Sequence, residues 1–320
     1  MARVTLDIFS GRPNPVWELD EAAARDLLAE AGSARDLVGG LESGSGKLGF
    51  RGLIVEADGQ EAELPRHFRI SGDDARGVEL ADRLLARLGR PTGVAGAAGD
   101  LPPGLARLED LDLRALVRES AGLSSRDAQP GRSGSAGQDS AEAAGNTQVI
   151  QALNPAPVIG TDASSFSTTT VGSCSIEVAA FNPGFWNASG VITNNNCYNY
   201  ASNRRTDTFA QPGRAAGAQA TRMRCDAVTA GAVADGARQS PNCVTAEQPR
   251  WYMALVIWPG VDYHWYRRSA EGFWGHKPGQ TAAKNTDNSG VVITNPETAN
   301  RGGYRDFCGY FFARSGMGVR

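Results

Sequence analysis

Apolar and polar positions alternate through "VTLDIF", "GFRGLIVEA" and "PRHFRIS", and this period-two pattern predicts three β-strands in the first quarter of the chain. Around them the period lengthens to that of a helix. Asp20 stands at an N-cap position ahead of "EAAARDLLAEAG", where Leu27 and Leu28 supply an apolar face and Gly32 a stop. "DDARGVELADRLLARLG" predicts a second amphipathic helix with Val78, Leu84, Leu85 and Leu88 on one side, and "LEDLDLRALVRES" a third. Between the first strand and first helix, "FSGRPNPVW" packs a glycine and two prolines into what reads as a rigid turn. These elements predict a small α+β domain over residues 1–120.

From 121 to 147 no large apolar residue follows Leu123. A segment with nothing to bury cannot offset its ordering entropy, so it is expected to be a flexible linker. "QVIQALNPAPVIGTD" then leads into a second domain, 148–320, as a strand or strap. Within that domain "MALVIW", "YHWYRR" and "FWGHKP", separated by the turns "PGVD" and "SAEG", predict a three-stranded antiparallel meander. "GVVIT" is a short strand candidate and "CGYFFA" a closing strand. The fold class expected for the whole is α+β, with no internal repeat.

Composition narrows the function classes. The 320-residue chain carries a formal net charge of −3, split between an acidic first half and a basic second half. That balance does not point to nucleic acid as a partner. No apolar run approaches the ~20 residues of a membrane span. The start "MARVTLDIFSGRPNPVW" reads as a strand and not as a secretory signal, which leaves the cytoplasm or a non-classical export route open. All five cysteines (174, 197, 225, 243 and 308) lie in the second half. They are either five reduced thiols or two disulfides in one of three connectivities plus a free Cys197.

Cys197 sits in "NNNCYNYA", where Asn195 or Asn196 is a helix-cap candidate. A helix N-terminus lowers a thiol pKa and offers N–H groups to an oxyanion. Downstream, His264 and His276 fall on neighbouring strands, with a turn near Glu271 that lets them face each other. A thiol, a base and a third polar group orienting the base are the parts of thiol acyl transfer. Asp262, Asn285 and Asp287 are alternative orienters. His67, beside Phe68 in a strand, reads as structural. A Cys–His–His zinc site lacks the close ligand pairs such sites use, and no cofactor is expected. Asn285, Asp287, Asn288 and Asn295 are turn formers first, and their spacing is not that of an EF-hand. Lys277, Arg301 and Arg305 are candidates to collect on a substrate carboxylate.

The order of these residues resembles the papain-like hydrolases, most of all the NlpC/P60 branch and its CHAP relatives. "ALVIW" resembles the family's buried strand, "HWYRRSAEGFWGH" keeps its spacing of twelve between histidines, and "HKPG" resembles its hairpin ending. The sequence departs from the family at Asn196, which stands where Asp is usual, and at Tyr198-Asn199, which stand where Ser-Gly is usual. The Cys-to-His separation of 67 is also long, and the match covers about residues 190–280. The resemblance implies Cys197 as nucleophile, His264 as general base and His276 as its orienter. It implies a bacterial hydrolase of a peptide or amide bond, with a peptidoglycan peptide as leading substrate. The N-terminal domain would then dock an unknown protein partner. A second reading stands beside it: a non-catalytic binding or structural module built on a papain-like sheet and stabilised by disulfides. The aromatic residues Trp251, Tyr252, Trp258, Trp265, Tyr266, Phe273 and Trp274 read as core and cleft wall in preference to a carbohydrate platform.

Overall fold

The computed structural model describes residues 1–41, 46–58, 64–95, 108, 111–123, 158–162 and 166–320. The expected linker and the lead-in strap lie largely outside these residues. The chain is α+β. Its first half forms an antiparallel sheet of β1 (Ala2–Asp7), β2 (Pro15–Leu19), β3 (Val38–Gly39), β4 (Gly52–Ala57), β5 (His67–Ser71) and β6 (Gly93–Val94), in the order β3-β5-β4-β1-β2-β6. One residue in two along β1 and β4 enters a core with the apolar faces of α1 (Glu21–Ser33), α2 (Ala75–Leu88) and α3 (Leu113–Ser120).

Asp20, Asp74 and Asp112 cap these helices, each accepting an N–H from the first turn. A carboxylate there satisfies a donor that has no intrahelical partner and faces the positive end of the dipole. The cap explains one boundary the pattern missed. The third helix starts at Leu113, not at Leu108, because Asp112 holds its first turn. The first helix runs through Gly32 to Ser33.

The second half builds a sheet from β7 (Ser167–Val171), β8 (Cys174–Val178), β9 (Arg238–Gln239), β10 (Trp251–Trp258), β11 (Asp262–Arg268), β12 (Trp274–His276) and β13 (Asp306–Ala313). The order is β12-β11-β10-β13-β9, with β8 joining β10 in parallel and β7 pairing β8. The expected meander is β10-β11-β12. "GVVIT" forms only an isolated bridge, Thr286 with Val292. Strand β10 is buried on both faces. Its Tyr252, Ala254, Val256 and Trp258 share one continuous core with Ile8, Phe9 and the N-terminal sheet. Its Trp251, Met253, Leu255 and Ile257 face the short helices α5 (Cys197–Ala201) and α6 (Cys225–Ala234); α4 (Pro183–Asn187) packs nearby against Tyr200.

Two disulfides decide between the cysteine alternatives. Cys174–Cys243 ties β8 to the loop ahead of β10, Cys225–Cys308 ties the start of α6 to β13, and Cys197 is a free, buried thiol.

Candidate functional site

Helix α5 begins at Cys197 because Asn196 caps it. The Asn196 side chain accepts the N–H groups of Tyr198 and Asn199, and Asn199 returns a bond to the Asn196 N–H, closing a capping box. The helix lies against β11, which carries His264, and β12 carries His276 next to it. The ladder pairs His276 with Tyr266, so the register is shifted by two from the one the turn suggested. A shift of two keeps the same face, and the two imidazoles still meet diagonally. His264 Nε2 lies 2.8 Å from His276 Nδ1.

The carbonyl of Thr286 orders the protons of this pair. It can only accept, so His276 Nε2, at 2.9 Å, carries a hydrogen. Burial, aided by Lys284, lowers the His276 pKa to about 3, so the ring is neutral and its Nδ1 accepts from His264 Nε2. Burial and the neighbouring His276 also push His264 well below the ordinary imidazole range. His264 Nδ1 is therefore an acceptor, and the donor it receives is the hydroxyl of Ser10, from the N-terminal half.

Ser10 is the residue that the sequence pattern did not place here. It belongs to the "SGRPNP" connector between β1 and β2, which brings Ser10 against His264. Its hydroxyl also hydrogen-bonds the Cys197 thiol. The backbone N–H groups of Ser10, Gly11 and Arg12 all donate to the Asp262 carboxylate, at 2.5, 3.2 and 3.0 Å. The Gly11 carbonyl accepts from Asn196 Nδ2 at 2.8 Å, Gln211 Nε2 at 2.8 Å and the Tyr263 hydroxyl at 3.0 Å. Gly11 is required by contact: a Cβ there would lie 2.4 Å from the Tyr263 ring. Behind the turn, Asn14 accepts from the N–H groups of Ile8 and Phe9 and donates to Asp7. Burial raises the Asp7 pKa, but Arg51 and Arg69 outweigh it and hold the carboxyl at about 2.

The candidate orienters have other work. Asp262 holds the connector and accepts from the Tyr304 hydroxyl at 2.6 Å. Asp287 caps its own loop through Ser289, Val291 and Asn300, and the Asn285 carbonyl accepts from Ile293. The three cations do not collect. Lys277 is buried and donates to the carbonyls of Ile192, Asn195 and Gly279, Arg301 bonds Pro296, and Arg305 pairs with Glu119. His67 is exposed on β5.

The cluster is closed: Cys197, His264 and His276 are each fully buried. Burial is the main force on the thiol and raises its pKa, with Asp262 adding to it, against the Trp265 N–H, Ser10 and Lys277. The helix start does not yield a thiolate in this state, because desolvation outweighs the few N–H groups of a five-residue helix. Among the described residues no three His, Cys, Asp or Glu side chains group so as to hold a metal ion, and no helix is long and apolar enough to cross a membrane.

No family model matches the chain, and no solved structure matches it. One curated protein does. Insoluble matrix shell protein 1 of Ruditapes philippinarum is 44% identical over 142 residues, which cover 44% of this chain and 90% of that protein. The chain belongs to the family of insoluble matrix shell protein 1. This relative overturns the expectation of a bacterial peptidoglycan hydrolase: it is a mollusc protein named for a shell matrix, not for a cell-wall enzyme. Of the two readings from sequence, the structural one is the better supported, by this relative and by the two disulfides.

Proposed function

We propose that the chain is a non-catalytic structural module of an extracellular matrix, in which a papain-like arrangement of helix and sheet serves as a socket for the protein's own N-terminal connector. The observation that carries this is the position of Ser10 against both His264 and Cys197, in a connector that Asp262 and Asn196 hold by its backbone. A thiol that is buried, protonated and hydrogen-bonded to a serine has no room for a substrate carbonyl. The polar groups that would serve chemistry instead satisfy one another. Two disulfides suit an oxidising compartment, and the name of the shell matrix relative fits a role in which durability matters more than turnover.

Alkylation tests the reading on the intact chain. Iodoacetamide at neutral pH, followed by peptide mapping, is expected to leave Cys197 unmodified in the native protein and to modify it after denaturation. Native Cys197 that alkylates as fast as a free thiol would falsify the socket. So would a peptide-cleaving activity that Cys197→Ala removes while the fold persists.

A further inference from the structure

The face of the C-terminal sheet turned away from Cys197 carries a second feature. Tyr252 and Tyr310 stack with centroids 5.2 Å apart, and Trp274 packs against both at 5.5 and 5.6 Å. Trp274 and Tyr252 are buried, so this group is mostly core, but Tyr310 is only half-buried. It forms the floor of an open cavity of about 420 Å³, within the ~300–1,000 Å³ of small-molecule sites. Arg268 projects from β11 into the wall, cross-strand from Trp274. Its guanidinium has no hydrogen-bond or ion-pair partner among the described residues, and its charge opposes, without overcoming, the burial that raises the pKa of both tyrosines. Exposed Thr169 on β7 and exposed Asn295 complete the rim.

Glu297 accepts the Tyr310 hydroxyl at 2.7 Å, so a carboxylate stands at the edge of the aromatic floor. An acidic ligand would meet that carboxylate. A ligand with an apolar face and a hydroxylated edge meets an aromatic floor, a guanidinium fork with five N–H donors, an amide and a hydroxyl.

We propose that this cavity binds a neutral pyranose unit of a polysaccharide, with Tyr310 under the ring and Arg268, Asn295 and Thr169 on its hydroxyls. The cavity lies on the sheet face opposite the one on which Cys197 packs, and it shares its own face with His264 and His276 farther along β11 and β12.

Titration calorimetry of the full chain with cellotetraose and with chitotetraose is the test, with polyaspartate as an ionic control. One of the two tetrasaccharides is expected to bind saturably. Arg268→Ala, at a half-exposed position, is expected to weaken it by about tenfold or more, as for loss of a hydrogen bond from a charged group. Thr169→Val, which keeps the strand's shape, is expected to weaken it less, by about threefold to tenfold. Near-UV circular dichroism confirms that each variant is folded. The proposal is overturned if neither tetrasaccharide binds, if folded Arg268→Ala binds as the parent does, or if polyaspartate binds as tightly as the sugars.

Discussion

Ser10 and His264 stand 254 positions apart in the sequence and share a hydrogen bond. The bond is one of several that hold a connector of the first sheet inside the second. The Asp262 carboxylate takes three backbone N–H groups from one side, while Asn196, Gln211 and Tyr263 take one carbonyl from the other. Such a clamp reads backbone more than side chains. Its specificity lies in the absence of a side chain at Gly11 and in the hydroxyl at Ser10.

Gly11→Ala is expected to destabilise the protein by about 2 kcal/mol, the usual cost of forcing extra volume into a packed site. The added Cβ collides with the ring of Tyr263, which is itself buried and hydrogen-bonded to the Gly11 carbonyl. Urea unfolding measures the loss. In the same variant Cys197 should alkylate faster than in the parent. An unchanged midpoint and unchanged labelling would mean that the contact is soft.

Ser10→Ala removes one hydroxyl and leaves the buried His264 Nδ1 without its donor, while the Cys197 thiol keeps the Trp265 N–H. An orphaned buried acceptor costs about 1–3 kcal/mol. The expected signature is a lower urea midpoint with an unchanged slope, since the surface exposed on unfolding stays the same.

Acid should weaken the fold through the two imidazoles. The unfolded chain protonates them near their ordinary value of 6.5, whereas folded His276 stays neutral down to about 3 and His264 is also depressed. Between those limits the unfolded state binds more protons, so stability falls as pH falls. Each imidazole contributes up to about 1.4 kcal/mol per pH unit at full slope. Urea midpoints at about pH 7 and pH 5 measure the effect. His276→Gln, which cannot titrate, should flatten the dependence, and an equal slope in that variant would place the titration elsewhere.

Each disulfide closes a long loop, of 69 and 83 residues. In the chain-entropy account either bridge stabilises the fold by about 4 kcal/mol. The Cys174→Ser/Cys243→Ser pair is expected to lower the melting temperature by several degrees and to leave Cys197 unreactive in the native state. Labelling of Cys197 in that double variant without denaturant would show that the bridge also keeps the cluster closed.

Much of the local structure was legible in the pattern. Asp20 and Asp74 mark helix starts, "MALVIW" marks a doubly buried strand, and Asn196 marks the cap of the helix that begins with Cys197. The pairing of His264 with His276 was legible too, because a hairpin fixes which face a residue takes even when the register moves by two. The role of "SGRPNP" was not. Periodicity reports a residue's neighbours within its own element, and nothing in residues 9–15 announces a partner some 250 positions later. Asp262 was misjudged for the same reason: next to a histidine it resembles an orienter, and only the tertiary contact reveals three N–H groups from elsewhere. The rank of Cys197 as a reactive thiol also depended on exposure, which a sequence does not print.

The connector has a consequence for how the chain is made. At translation rates of about 5–20 residues per second, the first sheet leaves the ribosome well before the strand that carries Asp262 and His264. For roughly 10–50 s the N–H groups of Ser10, Gly11 and Arg12 have only water to bond, and the glycine and prolines that shape the turn hold it ready. Synthesis of the second sheet then supplies, almost at once, the carboxylate, the phenol and the imidazole that take it in. The last third of the protein therefore assembles around a template already displayed by the first tenth.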